Sequence, residues 1–243
     1  MIMKCNGSGS SGNGYALISD EEILLIECGV PAKEMLKSID YKTSKVVGCL
    51  SSHGHGDHSK YISDYMRYGI PVYGSDEVSN DIEEIYGEKT IGLQRMKQAV
   101  IGGFSVIPFA VPHSDTECDG YLIMHEKIGS LLFITDAEYN PYNFSNININ
   151  HLMVECNYSE DYLTKDAENY GHVLRGHMEL KTCKRLIQSI NSPDLRSICL
   201  LHLSNANGDA VRFAKEISEL VDCDVSVWVA ERGFQTELSL DPF

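Results

Sequence analysis

Apolar residues along the chain fall into short runs of strand length, separated by polar and glycine-bearing segments. Runs at 23–26, 46–50, 71–73, 104–110, 121–124, 131–135, 152–154, 198–203 and 225–229 are rich in Val, Ile and Leu, and each predicts a strand. Segments 1–5 and 15–19 predict two more, so the Gly- and Ser-rich stretch 7–14 reads as a turn between strands. Helical spacing appears between some of these runs. Leu180, Cys183, Leu186, Ile187 and Ile190 share one stripe, and Val211, Ala214, Ile217 and Val221 are expected to share another, with Asp209 as N-cap. Ser75 is placed to cap a helix carrying Val78, Ile82 and Ile85, and 31–39 and 60–68 predict further helices. The pattern predicts a layered α/β protein with sheets face to face and helices outside. No repeat, linker or shift in composition interrupts 1–243, so one domain is expected.

Composition adds limits rather than detail. Hydrophobic residues at 43% and charged residues at 23% exclude collagen-like, disordered and coiled-coil chains. The net charge of −15 disfavours tracking along nucleic acid polymers, which rewards a basic surface, but leaves room for a small anionic substrate gripped by metal ions. The eight cysteines are scattered singly with no C-x-x-C pair, several within apolar runs, and are expected to be reduced. With no apolar leader at the N-terminus and no run near the ~20 apolar residues of a membrane span, a soluble cytoplasmic protein is expected.

The chemistry concentrates in Ser52-His53-Gly54-His55-Gly56-Asp57-His58, which follows directly on the predicted strand 46–50. Three imidazoles and a carboxylate within six residues make a metal-ligand set, and the two glycines let the backbone fold back so that alternate side chains aim at different points. His53 and His55 can share one ion while Asp57 and His58 share a second. A merely solvated His-rich turn would have no reason to follow a buried strand and end in Asp-His.

This His-x-His-x-Asp-His run resembles the signature of the metallo-β-lactamase superfamily, and later elements of that pattern follow in order: His113 in Pro112-His113-Ser114, Asp136 closing Ile134-Thr135-Asp136, and His202 closing Leu200-Leu201-His202. The resemblance implies an αββα sandwich with the metals at one edge. It further implies that His53, His55 and His113 hold a first divalent ion, that Asp57, His58 and His202 hold a second, and that Asp136 bridges them. Imidazole-rich ligation suits zinc best, and manganese or iron would also fit. Two such ions share an ionised water and, with two carboxylates and that hydroxide counted, leave about +1 for a phosphodiester monoanion. Glu27 stands where the superfamily has Asp, so the usual bracing geometry does not carry over directly.

A second layer of resemblance points to the phosphodiesterase branches, WalJ-like and tRNase Z-like, which carry an extra His between the bridging Asp and the last His. His177, expected at a helix start, is the candidate general acid, with His172 the alternative. Ser11, Asn13 and Asn205 are similar to WalJ-like positions and are candidates for contacting substrate or the ligand loop. Glu155-Cys156-Asn157-Tyr158 is a candidate outer layer, whereas His125 and His151 are expected to be structural or exposed. The implied activity is phosphodiester hydrolysis by a two-metal centre. The leading expectation is a cyclic mononucleotide substrate, as in phage-encoded anti-Pycsar proteins that silence cyclic-nucleotide defence, often as homodimers. The alternatives are a WalJ-like exonuclease on nucleic acid ends, a thioester, lactone or lactam hydrolase, and a non-catalytic metal-binding module.

Overall fold

The computed structural model describes residues 1–114, 116–163 and 170–241. Among these, two seven-stranded sheets are present. The first runs in the order β14 (Gln235–Glu237), β1 (Ile2–Gly7), β2 (Gly14–Ile18), β3 (Ile23–Ile26), β4 (Val46–Leu50), β5 (Val72–Ser75), β6 (Ile91–Leu93). The second runs β13 (Ser226–Val229), β12 (Ser197–Leu201), β11 (His151–Glu155), β10 (Gly129–Ile134), β9 (Asp119–His125), β8 (Phe104–Ala110), β7 (Ala99–Ile101). Each sheet is antiparallel over one half and parallel over the other: β3 to β6 in the first, β10 to β13 in the second.

Strand alternation sorts the core into layers. Leu131 and Phe133 join Tyr15, Leu17, Leu24 and Leu50 in a cluster between the sheets. Leu132 and Ile134, on the opposite face of β10, pack under α6 (Leu180–Ile190) and α7 (Ala210–Ser218). The outer face of the first sheet, with Ile23, Leu25 and Cys49, packs under α1 (Ala32–Ser38), α3 (Ile62–Arg67) and α4 (Asp76–Tyr86). This is an αββα sandwich, as the motif series implied. Two short helices, α2 (Gly56–Ser59) and α5 (Tyr170–Gly176), lie at the edge where the parallel strands end.

Three strands have no counterpart in the hydrophobic pattern: β6, β7 and β14 span only three residues each and form sheet edges, too short to show a period. The helix caps lie where expected, Ser75 accepting from the Val78 amide and Asp209 from the Arg212 amide. The apolar stripe of α7 is corrected. Val211 is 81% exposed, while Phe213 and Ile217 are buried. At 100° per residue, position 211 lies about 120° from 217, at the solvent margin of the stripe.

Candidate metal centre

β3, β4, β8, β10, β11 and β12 all end at one edge, the side of parallel sheets where crevices open. The loop after β4 turns at once into α2, whose first turn is Gly56-Asp57-His58, with the His58 amide donating to the His55 carbonyl at 3.0 Å. The other half comes from the second sheet: His113 follows β8, Asp136 follows β10 and His202 follows β12.

These seven side chains converge into two sets. In the first, His55 Nδ1 lies 3.0 Å from His113 Nε2, and His53 Nε2 and His113 Nε2 lie 4.0 and 3.9 Å from Asp136 Oδ2. In the second, His58 Nε2 and His202 Nε2 lie 3.4 and 3.1 Å from Asp57 Oδ2, and 3.3 and 3.6 Å from Asp136 Oδ1. Asp136 therefore turns one carboxylate oxygen to each set. Four donors around an ion with bonds of 2.0–2.1 Å stand about 3.3–3.4 Å apart along a tetrahedron's edges, so both sets have the right scale. The fit has a second support. His53 Nε2 is buried with no hydrogen-bond partner, a defect that costs about 1–3 kcal/mol unless a cation takes the lone pair.

An outer layer fixes each ring. His53 Nδ1 contacts Ser52 Oγ at 2.9 Å, and His113 Nδ1 contacts the Gly176 carbonyl at 2.6 Å. His58 Nδ1 lies 3.4 Å from Glu27 Oε1. His202 Nδ1 lies 3.1 Å from Asn157 Nδ2 and 3.4 Å from Glu155 Oε1. His55 is reversed: its Nδ1 faces the set and its Nε2 meets Thr116 Oγ1 at 3.1 Å. Such partners set the tautomer and orientation of ligating imidazoles. The backbone is strained where these groups sit, with positive φ at Glu27 (69°), Ser114 (50°), Asp136 (42°) and His202 (51°).

The titration behaviour follows from crowded carboxylates. Burial opposes charge on His202, yet Asp136, Asp57 and Glu155 outweigh it and push its pKa up to about 10. His58 moves up in the same way, against its burial, chiefly through Asp136 and Glu27. His53 and His113 move down, burial being the main cause, so both stay neutral with their lone pairs available. Burial would raise half-buried Asp57 and buried Asp136, yet the surrounding histidines hold both below the usual carboxylate range. The cluster as a whole favours positive charge at its centre, which divalent ions would supply.

Other expected site residues are placed differently from one another. His177 lies between α5 and α6, and not at a helix start: α5 ends at Gly176, and Glu179 caps α6 by accepting from the Lys181 amide. Its Nδ1 contacts Glu155 Oε1 at 2.7 Å, and its ring stacks on His202 with centroids 5.3 Å apart. Glu155 is buried, and its Oε2 also accepts from the Ala137 and Met178 amides. Asn13 is buried and holds the ligand loop from beneath. Its amide donates to the Asp57 carbonyl at 2.7 Å, and Nδ2 lies 2.9 Å from His58 Nε2. This placement suits holding the ligand loop. Ser11 and Asn205 are exposed, each in a turn beside the centre. The side chain of His172 lies outside the described residues. His125 and His151 are buried away from the centre.

The glycine-rich turn and Gly29 matter for close approach. A Cβ on Gly29 would stand 1.7 Å from the Asp57 carbonyl oxygen, and one on Gly12 would stand 2.3 Å from the Gly29 carbonyl oxygen. Three hydrogen bonds have no signature in the pattern: Ser8 Oγ accepts from the His202 amide at 2.9 Å, Ser52 holds His53, and Thr116 holds His55. Single hydroxyl residues carry no spacing signal.

No family model matches the chain. Exodeoxyribonuclease YycJ of Bacillus anthracis is 25% identical over 242 residues, covering 93% of this chain and 88% of the relative. Exodeoxyribonuclease WalJ of Streptococcus pneumoniae is 23% identical over 248 residues, covering 94% and 91%. The crystal structure of the metallo-β-lactamase fold protein YhfI from Bacillus subtilis superposes with a TM-score of 0.74 at 21% identity, over 97% of this chain and 98% of that one. The chain is a metallo-β-lactamase-fold hydrolase. Hydrolases of this fold use divalent metals, and the two His/Asp sets lie on the edge where the strands of both sheets end. No helix among the described residues is long and apolar enough to cross a membrane.

Proposed function

We propose that this metallo-β-lactamase-fold hydrolase is a two-metal phosphodiesterase that cleaves nucleotide phosphodiester bonds at the end of a DNA strand. The observation that carries the reading is the bridged double set with His177 held beside it by Glu155. His53, His55 and His113 would hold one ion, Asp57, His58 and His202 the other, and Asp136 both, most simply as zinc, with manganese also suited to this donor set. Bound ions of this kind lower the pKa of water and offset charge building on phosphoryl oxygens.

The chain's own groups do the rest. Glu155 occupies His177 Nδ1 and favours the imidazolium: burial opposes that charge, but Glu155 raises the His177 pKa overall. His177 then holds its second proton on Nε2 and delivers it to the leaving oxygen. Asn13, Glu27 and Asn157 keep the surrounding rings and Asp57 in place. Two relatives similar over nearly the whole chain are exodeoxyribonucleases, which supports a nucleic acid end as substrate. A cyclic mononucleotide is the second reading, favoured by the net charge of −15. Seven of the eight cysteines are buried and all eight are unbridged, which suits a reducing, cytoplasmic setting.

The test is a substrate panel with zinc- or manganese-loaded protein: an aryl phosphodiester, end-labelled single-stranded DNA, cyclic mononucleotides and a thioester. Hydrolysis of the diester and trimming of the DNA from an end are expected. Turnover of the thioester alone would remove the phosphodiesterase reading, and cyclic mononucleotides cleaved far faster than DNA would select the second one.

A further inference from the structure

A groove of about 890 Å³ opens beside the centre, between the segment after Asp136 and helix α6. Its walls continue the segments that carry the site. Glu138 follows Asp136 by two residues, and Arg175 precedes His177 by two. The Arg175 carbonyl accepts from the Ser114 amide at 2.9 Å, next to His113.

Of the seven arginines, four pair with carboxylates, Arg196 binds backbone carbonyls, and the remaining two lie in this groove. Arg67, Arg95, Arg212 and Arg232 each pair with a carboxylate. Arg175 and Arg185, both exposed and both lining the groove, pair with none among the described residues. Of the acidic groups that share the groove, Glu160 pairs with Lys181 at 2.8 Å and Glu179 caps α6, while Glu138 stands exposed on the opposite wall. Two guanidiniums left without carboxylates, on a chain of net charge −15, offer forked donors suited to phosphate oxygens. Tyr139, 47% exposed, adds an aromatic face to the same wall.

We propose that this groove takes the single nucleic acid strand that continues from the cleaved bond, its phosphates on Arg175 and Arg185 and a base against Tyr139. The proposal rests on the phosphodiesterase reading and names the substrate class of that site: a strand rather than an isolated nucleotide.

The experiment compares R175A/R185A with the unaltered protein on an oligothymidylate and on an aryl phosphodiester too small to reach the groove. KM for the oligonucleotide is expected to rise about tenfold or more, with aryl diester turnover unchanged. The slope of log KM against log salt should flatten by about 0.7 for each phosphate that the variant no longer neutralises. Y139A should raise the oligonucleotide KM without changing that slope. Unchanged oligonucleotide KM and salt slope in the double variant, with the aryl diester still cleaved, would overturn the groove and leave the phosphodiesterase reading standing. If the unaltered protein cleaves no diester, that reading fails, and the groove is judged by anisotropy of labelled oligothymidylate in chelator. Weaker binding by the double variant upholds it, and equal binding removes it.

Discussion

Strand β11 has a buried titratable residue at each end, and the two behave in opposite ways. His151, at its start, has Ser197 Oγ at 2.7 Å and no carboxylate partner among the described residues, and burial is the main cause that lowers its pKa to about 4. Glu155, at its end, is equally buried, yet His177 and His202 hold its pKa below the usual carboxylate value against burial. Burial without a counter-charge produces a neutral structural group. Burial with fixed counter-charges produces a charged one, which is what a metal centre and an acid catalyst require. The comparison explains why strand starts in this protein carry packing and strand ends carry chemistry.

The largest way to break the comparison is at the charged end. Asp57→Ala removes the carboxylate whose Oδ2 stands between His58 and His202, and diester turnover is expected to fall by about three orders of magnitude or more. Elemental analysis of the reconstituted variant should show less than the full complement of metal. Diester activity that survives this change would exclude a two-metal mechanism. Next comes His177→Ala, expected to cost about 10²- to 10³-fold in kcat with metal content unchanged. An aryl diester with a good leaving group should lose much less, because it needs no proton. Equal losses on good and poor leaving groups would take the acid role away from His177.

Glu155→Gln sharpens the contrast, since it keeps the shape and removes the charge. A loss of about 10- to 100-fold is expected, the range typical of carboxylates that orient ligating histidines. Glu27→Gln, which touches one ligating ring, His58, besides the Ser52 amide, should fall at the lower end of that range and show as weaker metal retention. A Glu27→Gln effect larger than that of Glu155→Gln would invert the ranking, which assumes that two rings held outweigh one.

How much of the fold and site is legible in the sequence depends on range along the chain. The sandwich follows from apolar runs whose alternation is strong, and most strands lie within a residue or two of those runs. His53 to His58 announce themselves because four ligand residues crowd one loop. His113, Asp136 and His202 are single residues whose meaning comes only from their order behind that loop, and their convergence depends on strand directions that periodicity does not encode. The bracing by Glu27 is less readable still. Its reach to His58 depends on a positive φ at residue 27, and no hydrophobic pattern specifies that. Asn13, in a glycine-rich turn, reads as a contact to substrate or to the ligand loop, and its neighbours do not say which. Those glycines permit backbones to touch, and the asparagine is sealed beneath the loop.

The neutral end of β11 gives the smallest effect and the cleanest sign. Unfolded His151 titrates near its ordinary value of 6.5, whereas in the fold burial, the N-terminal ammonium and Arg196 hold it at about 4. Between those values the unfolded chain binds more protons, so stability rises with pH through this window and falls as pH drops from 6.5 toward 4. From pH 7 to pH 5 the loss from this one group is about 2 kcal/mol. Asp224, Glu237 and Asp241 line the adjoining surface groove with Arg196, and their titration enters the total. A double difference removes it: urea unfolding of the native chain and of His151→Gln at both pH values. The native chain should lose about 2 kcal/mol more than the variant over that interval. Equal losses would mean that His151 charges within the fold, and that burial without a partner does not separate the two ends of the strand.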